Sequence, residues 1–169
     1  MMRGTAARAV GAVALGLTLC GPTTVYAQAA ASDSEKAAVT ATVQALFDAM
    51  AAKDAAKALA LVIPDGQLQS VRKTDAAAIP RGRTLEAFAN SLPTQKAPML
   101  ERMWNPEVRV SGPIATLAAR YDFHLDGKFT HCGTDIFTLV KTADGWKISG
   151  GIYTVEPTGC EPSPLGEPK

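Results

Sequence analysis

Two Asp-Gly dipeptides, Asp126-Gly127 and Asp144-Gly145, sit between long runs of strand-forming residues. A two-residue hairpin turn needs positive φ at its centre, which Gly and Asp tolerate, so each dipeptide predicts two antiparallel strands joined tightly. With Ser111-Gly112-Pro113 as a third break, four runs form a meander: "PMLERMWNPEVRV", "IATLAARYDFHL", "KFTHCGTDIFTLVK" and "WKISGGIYTV". Few folds suit such a block unless something apolar covers one of its faces.

The cover comes earlier in the chain. Ser32 and Glu35 have capping-box spacing, and Val39, Val43, Leu46, Phe47 and Met50 follow as one helical stripe. Asp54 suits the N-cap of a second short helix, which the spacing ends at Pro64-Asp65-Gly66. Gln67 to Lys73 is read as a short strand and "TDAAAIPRGR" as a loop. "RTLEAFANSL" is read as a third helix opening at Thr84. Helices first and a meander after them make an α+β domain. The Pro-rich tail "EPSPLGEPK" is expected to lack structure.

Turns centred on the two Asp-Gly pairs would place Asp122 opposite His131, Phe137 opposite Ile152 and Asp135 opposite Thr154. Cross-strand partners share a face. One face then carries Asp122, His124, His131, Asp135, Phe137, Leu139, Trp146, Ile148, Ile152 and Thr154. The other carries Tyr121, Phe123, Cys132, Ile136, Val140 and Tyr153. A slip of one residue would exchange these sets.

The first segment reads as a signal peptide, residues 1–29. Arg3 and Arg8 supply the basic start, Ala9 to Leu19 the apolar run, and "VYAQA" the small residues that suit cleavage after Ala27 or Ala29. A lipid anchor on Cys20 is disfavoured by the bulky Leu19 before it. The expected location is periplasmic or secreted, with no membrane association after cleavage. Removal of this segment takes two of the 17 basic residues and none of the 16 acidic ones, leaving charge close to balance. No basic stripe with interleaved aromatics appears, which argues against a nucleic-acid partner. No dinucleotide or phosphate motif is present, so no cofactor is expected.

The run from "ERMWNPEVRV" through "HCGTDIFTLVKTADGWKI", with the "LFDAMAAKDAAKALAL" helices before it, resembles secreted bacterial members of the nuclear transport factor 2-like superfamily. The matching branch is SnoaL-like or lumazine-binding in character. The resemblance implies three N-terminal helices packed on a strongly curved antiparallel sheet, a cone with a pocket inside, over residues 30–156. Residues 157–169 would form a tail. Relatives often dimerise through the sheet, and they include isomerases, dehydratases and cyclases beside proteins without catalysis, so fold alone does not assign function.

Cys132 and Cys160 form an even pair in an exported chain and are read as a disulfide that staples the tail. A thiolate at Cys132 activated by His131 is disfavoured because adjacent strand residues point to opposite faces. A zinc site from His124, His131 and Asp122 or Asp135 lacks tight ligand spacing, so no metal is expected. Asp135 lies in an otherwise apolar strand, where a buried carboxylate must be paired, hydrogen-bonded or protonated. It is the candidate general acid or base, with His131 or His124 as its helper; the alternative is an aspartate bracing a helix or Thr154. The candidate pocket residues are Phe47, Met50, Glu101, Asp122, His124, Phe137, Trp146 and Ile152. Glu101 could instead pair with Arg120 on the adjoining strand, the preferred option for it. Two functions of different class follow: a binder of a small apolar or aromatic molecule, and a cofactor-independent acid/base enzyme.

Overall fold

The computed structural model of the chain describes residues 1, 32–73 and 78–168. Apart from Met1, the segment read as a signal peptide and Cys20 lie outside the described residues. Helix α1 spans Asp33–Ala52, with Ser32 Oγ accepting from Glu35 N at 3.3 Å. Only half of the capping box forms. The Glu35 carboxylate accepts instead from Lys141 Nζ at 2.7 Å and Trp146 Nε1 at 3.0 Å, clamping the start of α1 to the sheet. The apolar stripe is buried throughout. Lys53 takes a left-handed conformation and closes the helix, after which Asp54 caps α2 (Ala55–Ala60).

Strand β1 (Val62–Lys73) follows at once, so Pro64-Asp65-Gly66 lies within a strand and does not end a helix. Its pairing breaks between Val62 and Gln67, and that irregularity accommodates the N–H that Pro64 lacks. The stretch expected as a loop supplies a second strand, β2 (Ala78–Thr84), antiparallel to β1. It is an edge strand, where Pro80 is tolerated. Thr84 then caps α3 (Leu85–Ser91), accepting from Ala87 N at 3.0 Å. The meander comprises β3 (Met99–Ser111), β4 (Ile114–Leu125), β5 (Lys128–Thr142) and β6 (Gly145–Val155).

The six strands form a curved, unclosed sheet in the order β2-β1-β6-β5-β4-β3, antiparallel except where β1 meets β6. Helices α1 and α3 lie on its inner face, α1 mainly over β3 and α3 mainly over β1. The core sits between helices and sheet, from Val43, Leu46 and Leu85 to Leu117, Leu139 and Ile148.

The Asp126-Gly127 turn forms as expected, with φ of 52° and 69°. Three residues beyond it, Thr130 is extruded as a bulge, so Asp122 pairs with Cys132 and Phe123 with His131. The next turn is centred on Ala143-Asp144, one residue earlier than expected, and Ser149 forms a further bulge. Asp135 therefore faces Tyr153, and Phe137 faces Gly151. A bulge inserts one residue and exchanges the faces beyond it. The expected inner set is kept on β5 (His131, Asp135, Phe137, Leu139). On β4 it is exchanged: Tyr121 and Phe123 point inward, Asp122 and His124 outward. On β6 the exchange begins after Ser149, putting Tyr153 inside and Ile152 and Thr154 outside.

The tail has no regular structure, but it is held in place across the outer face. Cys132 on β5 and Cys160 form a disulfide, and the isolated pair Cys132–Glu156 brings the chain to that point. Further on, Arg102 on β3 donates through Nη1 to the Gly166 carbonyl oxygen at 2.9 Å. The segment thus runs from β5 to β3 over Asp122 and His124, each only 5% exposed.

Candidate functional site

Between the inner face of the sheet and α1 and α3 lies a cavity of about 250 Å³. Its walls are mainly apolar. Leu46, Phe47 and Met50 come from the α1 stripe, Phe88 and Leu92 from the α3 region, and Phe137 from β5. The Phe47 and Phe137 rings pack at 6.1 Å between centroids. The polar groups come from the sheet: Glu101 on β3, Tyr121 on β4, His131 and Asp135 on β5, and Tyr153 on β6, with Arg83 from β2.

Asp135 is 1% exposed, and its Oδ2 has no hydrogen-bond partner among the described residues. Removal from water disfavours the ionised form. Burial pushes the Asp135 carboxyl up to about 7, and a hydrogen bond from Glu101 limits the rise. Glu101 is held well above the usual carboxylate range by burial first, then by the charge of Asp135 and the hydrogen bond to it. The two acids therefore form a proton-sharing pair, because two carboxylates in contact cannot both ionise cheaply. Burial lowers His131, as does the charge of Arg72, so its imidazole is neutral at pH 7. Its Nδ1 lies 2.8 Å from the Thr130 hydroxyl of the bulge, and its ring stacks at a tilt on Phe123 at 5.1 Å.

Tyr121 anchors this corner by donating its hydroxyl proton to the Thr154 carbonyl at 2.6 Å. Gly133, in the middle of "THCGTD", makes that approach feasible. A methyl group there would fall 2.2 Å from Thr154 O and 2.8 Å from the Tyr121 ring. No side chain other than hydrogen fits, for steric reasons.

Of the expected pocket residues, Phe47, Met50, Glu101 and Phe137 line the cavity, and His131 and Asp135 open into the same space. Asp122, His124, Trp146 and Ile152 do not. Asp122 and His124 are turned outward by the Thr130 bulge. There Arg102 grips Asp122 with two bonds, Nε to Oδ1 at 2.9 Å and Nη2 to Oδ2 at 2.6 Å. His124 Nε2 stands 3.3 Å from Asp122 Oδ1. The side chains weighed as zinc ligands are thereby divided between two faces. Trp146 faces inward but is buried in the core with its Nε1 committed to Glu35. Ile152 is 41% exposed on the outer face, a consequence of the Ser149 bulge.

Glu101 does not pair with Arg120. Alternation puts Arg120 on the outer face opposite Trp104, where it donates to Thr134 Oγ1 at 3.0 Å. Sequence reasoning missed Tyr121, Phe123 and Tyr153, displaced by the bulges, and Arg83, which lay in the supposed loop. The alternation of "IPRGRT" is the one signal that could have revealed that strand.

Structural comparison finds the same architecture in a protein of unknown function with a cystatin-like fold from Nostoc punctiforme. The two are 13% identical with a TM-score of 0.60, over 79% of this chain and 97% of that one. A nuclear transport factor 2-like superfamily protein from Salmonella enterica serovar Typhimurium matches at 15% identity and TM-score 0.59, over 82% and 100% of the two chains. An NTF2-like protein with a cystatin-like fold from Novosphingobium aromaticivorans matches at 15% and 0.58, over 72% and 82%. At these identities the likeness is one of fold. No curated protein matches by sequence. The sequence profile of the family described as "Putative lumazine-binding" matches residues 34–154, which spans both the helices and the whole sheet. The chain therefore belongs to that family, and its fold is the cystatin-like, nuclear transport factor 2-like one.

Proposed function

We propose that this is an exported binding protein that holds a small, largely apolar or aromatic molecule in its inner cavity, with a polar group of the ligand on Asp135. The observation that carries the reading is the buried, unpartnered Oδ2 of Asp135 in a residue that lines the cavity. An unmet buried acceptor costs on the order of 1–3 kcal/mol, and a ligand donor would recover it. Apolar walls with a few convergent polar groups are the usual composition of a small-molecule site. A lumazine of the kind that the family description names, flat and bearing N–H donors, has such a shape. Export is supported by the signal-like residues 1–29 and by a disulfide, which persists in oxidising compartments. The outward pair Ile136 and Ile152, 44% and 41% exposed, supports a homodimer through the sheet.

A second reading has its own observation. Asp135, near 7, and a neutral His131 open into one cavity, which suits proton transfer between two positions of a bound substrate. Native mass spectrometry of the protein isolated from its own cell envelope tests binding. A bound small molecule that is lost in Asp135→Leu is expected. An empty cavity in every preparation, with no ligand gained from envelope extract, would sink the binding reading. Turnover of a captured molecule, abolished in Asp135→Asn, would favour catalysis.

A further inference from the structure

The mouth of the cavity carries positive charge that nothing described neutralises. Strands β1 and β2 pair Leu68 with Arg83 and Ser70 with Arg81. Directly paired residues share a face, and alternation along β1 adds Arg72 to it. Leu68 and Arg83 line the inner cavity, so this is the inward face. A second hollow of about 220 Å³ opens beside the cavity, lined by Leu68, Ser70, Arg81, Gly82, Arg83 and Tyr153. The two share Leu68, Arg83 and Tyr153. Arg83 is aimed by two contacts: Nη1 donates to Ser91 Oγ at 3.1 Å, and its guanidinium lies 4.8 Å from the centre of the Phe88 ring. Among the described residues, none of Arg72, Arg81 and Arg83 is in an ion pair with a carboxylate. The acids deeper in the cavity do not compensate fully, because Glu101 and Asp135 do not both ionise.

We infer that the ligand is an organic oxyanion: its carboxylate or phosphate sits on Arg81 and Arg83 in the outer hollow, its apolar body lies among Phe47, Phe88 and Phe137, and a hydrogen-bond donor at its far end meets Asp135. This rests on the cavity reading above and adds polarity to it. The planar guanidinium fork matches carboxylate and phosphate oxygens. A guanidinium with no carboxylate partner among the described residues is better suited to a counter-charged ligand than to a neutral one. The shared proton of the acid pair serves the same end, since two ionised carboxylates inside the cone would repel an anion more strongly.

The test titrates three matched probes, 4-hydroxybenzoate, 4-hydroxyphenyl phosphate and 4-hydroxybenzyl alcohol, into the isotopically labelled protein and follows the cavity amides by NMR. At least one anion is expected to bind about tenfold or more tightly than the alcohol, consistent with a charge-assisted hydrogen bond. Which anion leads identifies the group. Arg81→Ala, an exposed strand position, is expected to remove most of that advantage while leaving the affinity for the alcohol unchanged; Arg81→Ala with Arg83→Ala removes all of it. If all three probes bind at the cavity with equal affinity, the oxyanion inference is overturned and the binding reading stands. If Arg81→Ala weakens acid and alcohol alike, the inference is also overturned. No saturable shift with any probe overturns both.

Discussion

Two aspartates on neighbouring strands meet burial in opposite ways. Asp122 on the outer face and Asp135 on the inner face are 5% and 1% exposed. Asp122 receives a bidentate arginine, a nearby histidine and a strapped tail above it. Asp135 receives another acid, and its Oδ2 has no hydrogen-bond partner among the described residues. The outer arrangement satisfies the charge, as expected of a group whose work is structural. The inner arrangement leaves an acceptor and a near-neutral pKa facing a cavity, which is where functional carboxylates are found. One sheet thus separates a carboxylate gripped by a cation from one that faces a cavity beside another acid.

The largest effect should come from removing the cation of the closed cluster. Arg102→Met strands Asp122 in a buried site, and a loss of about 3–5 kcal/mol is expected from urea unfolding. Asp135→Asn, by contrast, should leave stability unchanged or raise it; a loss equal to that of Arg102→Met would erase the contrast between the two faces. Next comes the strap. Replacing Cys132 and Cys160 by serine opens a closure spanning 28 residues, with an expected cost of about 3 kcal/mol in the chain-entropy account. The cavity amides should barely shift in that variant, since the strap crosses the other face, and large shifts there would show the faces to be coupled.

The pH dependence separates the faces further. Asp135 binds its proton more tightly folded than unfolded, so its contribution to stability is fully present below about pH 4. It is lost as pH rises through about 7, and Glu101 shifts in the same direction. Unfolding free energy should therefore fall across that window by on the order of 4 kcal/mol. Asp135→Asn should flatten most of the fall, whereas an unchanged slope would move its origin elsewhere. The smallest effect concerns Trp146, which faces inward yet ties the sheet to α1. Trp146→Phe removes one hydrogen bond to Glu35 and should cost about 1 kcal/mol without altering ligand affinity. A change in affinity would make Trp146 part of the site.

Much of the frame is legible in the sequence. Ser32, Asp54 and Thr84 cap the helices they were expected to cap, because a side-chain oxygen one residue ahead of a helix is a local device. The stripe from Val39 to Met50 was readable from its period. The faces were not. His131 and Asp135 share a strand and so share a face, but Asp122 and His124 lie on the side opposite to the one their alternation predicts. The extra residue at Thr130 has no sequence signature. Strand β2 was hidden by Pro80 and by its edge position, and with it went Arg81 and Arg83.

The sequence by itself determined the helices and their caps, the four strands of the meander, the Asp126-Gly127 turn and the cysteine pair, since each depends on contacts within a few residues or on a count. Only the tertiary structure decided which acids look inward, that Glu101 meets Asp135, and that the arginines of β2 line the hollow beside the cavity. Those outcomes depend on register, and a single extruded residue reverses every side chain beyond it.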